Sequence, residues 1–363
     1  MSPTPHRIVV VEDDPFLRLV QVILDPTTPA ERTAAFAHFM AHDEPDFAGW
    51  CDRLRSRLAT LYPAAVRLVR DQCNFHVYLP GAEIAVVEAL RIGGNEIAAA
   101  GGTLKIVQKY GTITSAIDSA ACARAGVRVL TIRRRANIAT AEHAFALLLA
   151  LARKLTVTAN LISERQLEAA GFSPTVFAHA HTPNGNWARI RHLRTLYGKR
   201  LGIIGLGEVG RELALRALAF GMRVVYSQRH RLPADEERRY EAVYSARDEL
   251  LATSDFISLH LPGGAATRGF LGRRELALIQ QGALLINVSQ PQLIDREALT
   301  EALASGRLGG VGLDTFYEEP AHEDDSLIHF PNVIVTPHLG GSPRFNALED
   351  FAELLLNLAH ALR

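Results

Sequence analysis

The stretch KRLGIIGLGEVGRELALRALAFGMRVVYSQRHR at 199–231 leaves the chain few folds to choose from. RLGII is an apolar run of strand length, and MRVVY is a second. Between them Gly205, Gly207 and Gly210 stand in G-x-G-x-x-G spacing, with Glu208 and Val209 inside it, and an amphipathic helix follows. The spacing alone is weak evidence. After a strand and before a helix, in a unit of roughly 30 residues, it predicts a βαβ crossover that binds a dinucleotide. Gly205 permits a tight turn, Gly207 lets the backbone approach a pyrophosphate, and Gly210 lets the helix pack on the strand. The helix N-terminus offers free N–H groups and partial positive charge to the phosphates. A strand–helix turn without a ligand is the alternative.

The end of the second strand bears on which dinucleotide binds. A carboxylate there would hydrogen-bond the ribose hydroxyls of NAD. This chain has Gln228, then Arg229, His230 and Arg231. No acid repels a 2′-phosphate and an arginine can pair with one, so NADP is favoured over NAD. A solvated basic loop is the other reading.

The chain has 363 residues, enough for two domains, with 48% hydrophobic residues and zero formal net charge. That balance gives no electrostatic reason to expect nucleic acid or an acidic membrane surface. Cys51, Cys73 and Cys122 lie far apart and read as buried reduced thiols, which suggests a cytoplasmic protein. The N-terminal MSPTPHRIVVVEDD turns acidic after one short apolar run and does not read as a signal peptide.

RIVVV (7–11) followed by EDDP predicts a first buried strand and a turn. A phosphorelay receiver also begins with a strand and an acidic pair, but Asp52 lies in a helical, arginine-rich setting and supplies no third carboxylate at a strand end. LKIVQKYGTITSAID (104–118) reads as strand, glycine turn and helix start, and AGVRVLTI (125–132) as another strand. The segment from ANIATAEHAF to LEAAGF reads as one long apolar helix with a polar continuation. HAHTPNGNW (179–187) is loop chemistry, and its two histidines lack a third ligand in frame, so no metal is expected. A regular βαβ pattern runs from residue 200 to about 315.

Several segments, in order, resemble the D-isomer-specific 2-hydroxyacid dehydrogenase family: TAEHAFALLLALARK (140–154), the run from GNWARIRH to GLGEVG, DFISLHLPGG to LLINVS (255–289), GLDTFYEEP (312–320) and NVIVTPHLGG (332–341). The resemblance covers about residues 100–345. It implies an α/β chain of two Rossmann-like domains, with doubly wound parallel sheets around a cleft. A cofactor domain at 134–338 would be inserted into a substrate domain made of 1–133 and 339–363. It also implies a homodimer through the 140–170 helix. Pro262 and Asp314 would join the glycine loop among the cofactor contacts, and Gly111, Thr112 and Ile113 would contact the substrate.

The family also suggests three catalytic roles. A histidine, here His338, exchanges a proton with the substrate oxygen, and a glutamate, here Glu319, hydrogen-bonds it. The pair is sensible on its own chemistry: hydride transfer to a ketone creates an alkoxide, and a histidine beside a carboxylate can supply the proton. The third role belongs to an arginine that binds the substrate carboxylate and polarises the carbonyl. That position is Gln290, in INVSQPQLID. Glutamine has no charge to neutralise an anion, and Pro291 replaces a glycine. The family's carboxylate-holding G-x-G turn keeps Gly111 but has Ile113 at the second glycine.

Two carboxylate-holding features have changed while the proton and cofactor machinery remains. The expectation is an NAD(P)-dependent oxidoreductase acting on a carbonyl or hydroxyl of an atypical small-molecule substrate. Transient oxidation in a lyase or elimination reaction is one alternative, and a dinucleotide sensor or scaffold without turnover is another. Arg133, Arg134, Arg135 and Arg344 are candidates to replace the missing guanidinium.

Overall fold

The computed structural model describes residues 7–363. It divides into two compact units, one made of the chain up to Ala139 with Gly341–Arg363, the other of Thr140–Gly340. The division falls a few residues beyond the expected boundary at 133/134 and lies within the helix Arg135–Arg153. The first turn of that helix is bound to the first unit. Asp350 accepts from Arg135 N at 2.9 Å and pairs with its guanidinium at 3.1 Å.

In the first unit, β1 (Arg7–Glu12), β2 (Ala64–Val69), β3 (Ile84–Val87), β4 (Ile106–Lys109) and β5 (Arg128–Leu130) form a parallel sheet of order β2-β1-β3-β4-β5. β1 and β3 are short runs of buried Val, Ile and Ala, as expected for strands covered on both faces. Strand order reverses between β1 and β3, and in such sheets ligands bind at the carboxyl ends of the strands beside that point. The acidic run after β1 serves the backbone. Glu12 accepts from the N–H groups of Glu88, Ala89 and Leu90, Asp13 pairs with Arg18 and Arg70, and Asp14 caps Phe16 and Leu17. The receiver-like pattern is therefore local capping chemistry.

The second unit holds β6 (Arg200–Ile204), β7 (Arg223–Ser227), β8 (Ala242–Tyr244), β9 (Phe256–Leu259), β10 (Ala283–Asn287), β11 (Leu308–Leu313) and β12 (Val333–Val335). All pair in parallel, in the order β12-β11-β10-β9-β6-β7-β8. This is a doubly wound sheet whose order reverses at β6/β9.

Two expectations are corrected. The long helix does not continue to residue 172. It stops at Arg153, where Lys154 takes a left-handed φ of 53°, and two short helices follow at Leu155–Thr158 and Glu164–Ala169. The left-handed residue breaks the ladder there, and the chain restarts as a separate short helix rather than continuing the long one. Cys51 and Cys122 are buried, but Cys73 is exposed. Its short helix, Gln72–Tyr78, buries only Phe75, and Cys73 points elsewhere. Among the described residues no helix is long and apolar enough to cross a membrane.

Candidate active site

Because the strands of the second unit are parallel, their carboxyl ends share one edge. That edge carries Gly205 after β6, Gln228 after β7, His260–Pro262 after β9, Gln290 beyond β10, Asp314 after β11 and His338 beyond β12. The sequence scatters these residues over more than a hundred positions, and the sheet gathers them.

The glycine loop has the geometry its spacing implies. Gly205 sits at φ 95°, and a Cβ there would lie 2.4 Å from His260 O. A Cβ on Gly210 would lie 2.4 Å from Gly205 O, so helix and loop touch through bare backbone. A Cβ on Gly207 would meet nothing within 4 Å. Gly207 is the N-cap of the helix Glu208–Ala219, so open space lies over a helix N-terminus. These features fit the pyrophosphate of a dinucleotide.

Gln228 braces this loop. Its Oε1 accepts from Leu206 N at 3.1 Å and its Nε2 donates to His230 O at 2.7 Å. Arg231 is committed to Glu237 by two bonds of 2.8 and 2.9 Å, which with the Tyr226 hydroxyl hold that carboxyl down to about 2. Arg229 is exposed and makes no ion pair among the described residues. Pro262 is exposed, and its carbonyl accepts from Thr267 Oγ1 at 2.7 Å. Burial lowers the His260 imidazole to about 4, so the ring beneath the loop is neutral, with Nε2 2.8 Å from Ser258 Oγ.

His338 Nδ1 lies 2.9 Å from Glu319 Oε2. Glu319 Oε1 accepts from Phe316 N at 2.8 Å, which fixes the carboxylate. Burial pushes the Glu319 carboxyl up, but the bonds from His338 and Phe316 outweigh it and hold it below its ordinary range. His338 adopts φ 57°, and its N–H bonds Asp314 O and Thr336 O at 2.9 Å each. The ring is 61% exposed, so Nε2 can reach a ligand. The pair borders a cavity of about 690 Å³, walled also by Phe316, Val335 and Pro337.

Asp314, expected among the cofactor contacts, is buried and spends its carboxylate on protein. It accepts from Thr336 Oγ1 at 2.7 Å, Leu339 N at 2.8 Å and Gly340 N at 2.7 Å, and meets His143 Nε2 at 3.1 Å. Desolvation raises its pKa, yet these donors bring it down to about 2. The loop bearing His338 is thus hung on an anion. His143 and Asn287 were not singled out by sequence. His143 stands within TAEHAF, and its helical position facing Asp314 gave no separate signal.

Gln290 is exposed at the end of an extended residue, with Pro291 buried behind it as the first residue of a short 3₁₀ turn, Pro291–Leu293. Asn287 Nδ2 donates to Gln290 O at 2.8 Å. The Gln290 stem lies against Gly263, where a Cβ would come within 2.8 Å of Gln290 Cγ. The side chain is thus supported on the β9 side, and among the described residues no charged group pairs with its amide end.

In the first unit Gly111 has φ 144°, a conformation that favours glycine, and its carbonyl accepts from Ile132 N at 3.0 Å. Thr112 is exposed and Ile113 half-buried beside it. Of the spare arginines, Arg135 binds Asp350, Glu353 and Glu349. Arg344 stacks 3.8 Å over the Phe39 ring and donates to Phe39 O. Arg134 pairs with Glu88 at 2.6 Å and lies 3.9 Å over the Tyr110 ring.

Comparison with known proteins gives a consistent set. The model of the D-isomer specific 2-hydroxyacid dehydrogenase NAD binding domain matches residues 145–340. A glyoxylate reductase of Thermococcus gammatolerans is 36% identical over 253 residues, 69% of this chain and 71% of that protein. A glyoxylate reductase of Thermococcus litoralis is 37% identical over 254 residues, 69% and 72% of the two chains. Among solved structures, a glyoxylate reductase from Paecilomyes thermophila superposes with TM-score 0.54 at 24% identity, over 99% of this chain and 96% of that one, a likeness of fold.

Proposed function

This chain belongs to the D-isomer specific 2-hydroxyacid dehydrogenase family, and from that premise we propose that it acts on a substrate whose carbonyl is held without a guanidinium at position 290. As a member of the family it is an NAD(P)-dependent oxidoreductase of small molecules, acting on CH–OH groups. The observation that carries the finer reading is the contrast at one sheet edge: the His338–Glu319 pair closes at 2.9 Å while Gln290 stands in the arginine's place.

The nicotinamide cofactor, when bound, supplies or accepts the hydride. The chain's own residues do the rest. In the reducing direction His338 donates its proton to the carbonyl oxygen, and in oxidation it takes the proton back. Glu319 orients the ring through Nδ1. Gln290 offers a neutral amide N–H to a carbonyl or hydroxyl. The relatives' names point to glyoxylate; this reading makes glyoxylate a poor substrate here. A panel of carbonyl and hydroxyl compounds, followed by cofactor absorbance and product mass together, tests it. Efficient reduction of glyoxylate by the unmodified protein would overturn it. A product lighter by one water with no net cofactor change would mean a lyase instead.

Two finer readings accompany this one. NADP is the preferred cofactor, supported by the absence of a carboxylate at Gln228 and the uncommitted Arg229. Arg229→Ala should weaken NADPH binding about 10- to 100-fold, the value of one or two charge-assisted bonds, and leave NADH affinity unchanged. Comparative titrations check this, and equal or tighter NADH binding to the unmodified protein rejects it. The partner is a second copy of the chain, supported by the exposed apolar side chains Leu155, Ile162, Val176 and Phe177 beyond the long helix. Sedimentation equilibrium should give twice the 39.7 kDa chain mass, and a monomer at micromolar concentration would exclude it.

A further inference from the structure

The loop after β7 is exposed and rich in cations, yet its backbone is held at several points. Ser227 O accepts from Gly205 N at 2.9 Å, and Gln228 Oε1 accepts from Leu206 N at 3.1 Å, so the loop is bonded to the glycine turn itself. Gln228 Nε2 donates to His230 O at 2.7 Å, which fixes the chain on both sides of Arg229. Leu232 N donates to the Tyr226 hydroxyl at 2.8 Å. Arg231 gives Nε and Nη2 to the two oxygens of Glu237, at 2.8 and 2.9 Å. Arg229, in the middle of these ties, is exposed and makes no ion pair among the described residues.

The ties meet at one buried phenol. Tyr226 is fully buried on β7, and its hydroxyl donates to Glu237 Oε1 at 2.7 Å while it accepts from Leu232 N. Burial, together with the carboxylate beside it, pushes that hydroxyl up to about 12, so it stays a donor at neutral pH. Glu237 lies on the helix Ala234–Arg239, and its neighbour Glu236 pairs with Arg211 at 2.8 Å. Arg211 belongs to the helix that starts at the glycine turn, and its Nε donates to Leu206 O at 3.3 Å. The bonds form a closed circuit: glycine turn, Gln228, loop, Glu237 helix, Arg211, and back to the turn. A loop that only reversed the chain would not need such a circuit. Its effect is to fix the backbone of Arg229 relative to the helix N-terminus at Gly207. Glu237 also neutralises Arg231, which leaves Arg229 as the cation on offer.

We propose that Glu237 and Tyr226 are positioning residues for cofactor selection, clamping the 228–232 loop so that Arg229 is presented to the 2′-phosphate of NADPH beside the glycine turn. The inference rests on the reading above that NADPH is the preferred cofactor. The clamp acts by preorganisation: a loop already ordered loses less freedom when the phosphate binds. NADH offers nothing to Arg229 and should be indifferent to the clamp. Charge alone predicts the opposite result for Glu237. Removing its carboxylate frees Arg231, adds a net positive charge beside Arg229 and should tighten an anionic phosphate. The sign of the change therefore separates positioning from charge.

The test is calorimetric titration of NADPH and NADH into the full-length unmodified protein and into Tyr226→Phe and Glu237→Gln, with a thermal unfolding midpoint for each. Tyr226→Phe leaves every charge in place and should weaken NADPH about 3- to 10-fold, the cost of ordering one long side chain on binding. Glu237→Gln should weaken NADPH as well, in spite of the added charge. NADH affinity should match that of the unmodified protein in both, because a merely structural defect in the glycine turn would weaken the two dinucleotides together. Should Glu237→Gln fail to fold, Tyr226→Phe, which differs by one oxygen, decides the matter. Unchanged or tighter NADPH binding in a folded variant, or equal losses for NADPH and NADH, overturns the inference. The unmodified protein scores the underlying reading separately. Equal affinity for the two cofactors there rejects the NADPH reading, whereas an NADPH preference that survives both substitutions sinks the clamp alone.

Discussion

Gln290→Arg should raise the rate on glyoxylate, pyruvate and hydroxypyruvate by about 100- to 1,000-fold, the scale on which one preorganised donor stabilises developing charge. The gain should appear in kcat, because the guanidinium acts most strongly on the negative charge that grows on the carbonyl oxygen. The surroundings are suited to the exchange. Position 290 is exposed, its carbonyl is held by Asn287, and its stem rests on Gly263, which has no side chain to obstruct a longer residue. Pro291 opens a 3₁₀ turn, and its φ and missing N–H both suit that place. Pro291→Gly alone should therefore do little, and with Gln290→Arg it should only add freedom to aim the guanidinium. The same arginine should slow the native reaction, since a guanidinium desolvated beside a neutral group is costly. Steady-state rates on the three keto acids, before and after substitution, decide the matter. Ordinary efficiency in the unmodified protein would mean that a guanidinium from elsewhere already serves the carbonyl.

The parts of the structure legible in the sequence are those where local chemistry and global position coincide. The glycine loop is one. Gly205 and Gly210 are required because backbone stands 2.4 Å from where their Cβ atoms would be, whereas Gly207 leaves open space over the helix N-terminus. Each requirement leaves a fixed spacing along the chain. The His338–Glu319 pair was legible only through resemblance, because the nineteen-position separation encodes no periodicity that brings them together; the parallel register of β11 and β12 does that. The Asp314 network was missed for a similar reason. A buried aspartate at a strand end reads alike whether it faces a cofactor or three backbone and side-chain donors. Among the arginines of TIRRRAN, sequence offered three equivalent cations. Helix phase separates them: Arg135 turns to Asp350 and Glu353, while Arg134 turns to Tyr110. The end of the long helix at Arg153 was also hidden, since Lys154 is a good helix former that here adopts a left-handed turn.

His338→Ala should reduce kcat by about 100- to 10,000-fold, the usual contribution of a positioned general acid, while the affinity for NADPH changes little. The backbone makes a sharper test available. At φ 57° His338 occupies a region that costs a non-glycine residue of the order of 1 kcal/mol. It is kept there by its own N–H bonds to Asp314 O and Thr336 O, and by the Asp314 carboxylate on Leu339 and Gly340 N–H. Alanine retains that cost and glycine removes it. His338→Gly should thus be more stable than His338→Ala by about 1 kcal/mol in denaturant midpoints, and both should be equally inactive. If position 338 mattered through backbone geometry alone, the glycine variant would recover activity along with stability. Glu319→Gln gives the complementary result. It offers one oxygen and one amide group where the carboxylate gives Oε1 to Phe316 N and Oε2 to His338 Nδ1, so one of the two contacts is lost and kcat should fall with little change in cofactor affinity. An active His338→Ala enzyme would move the proton role to another residue and leave the 2.9 Å contact with Glu319 without a catalytic purpose.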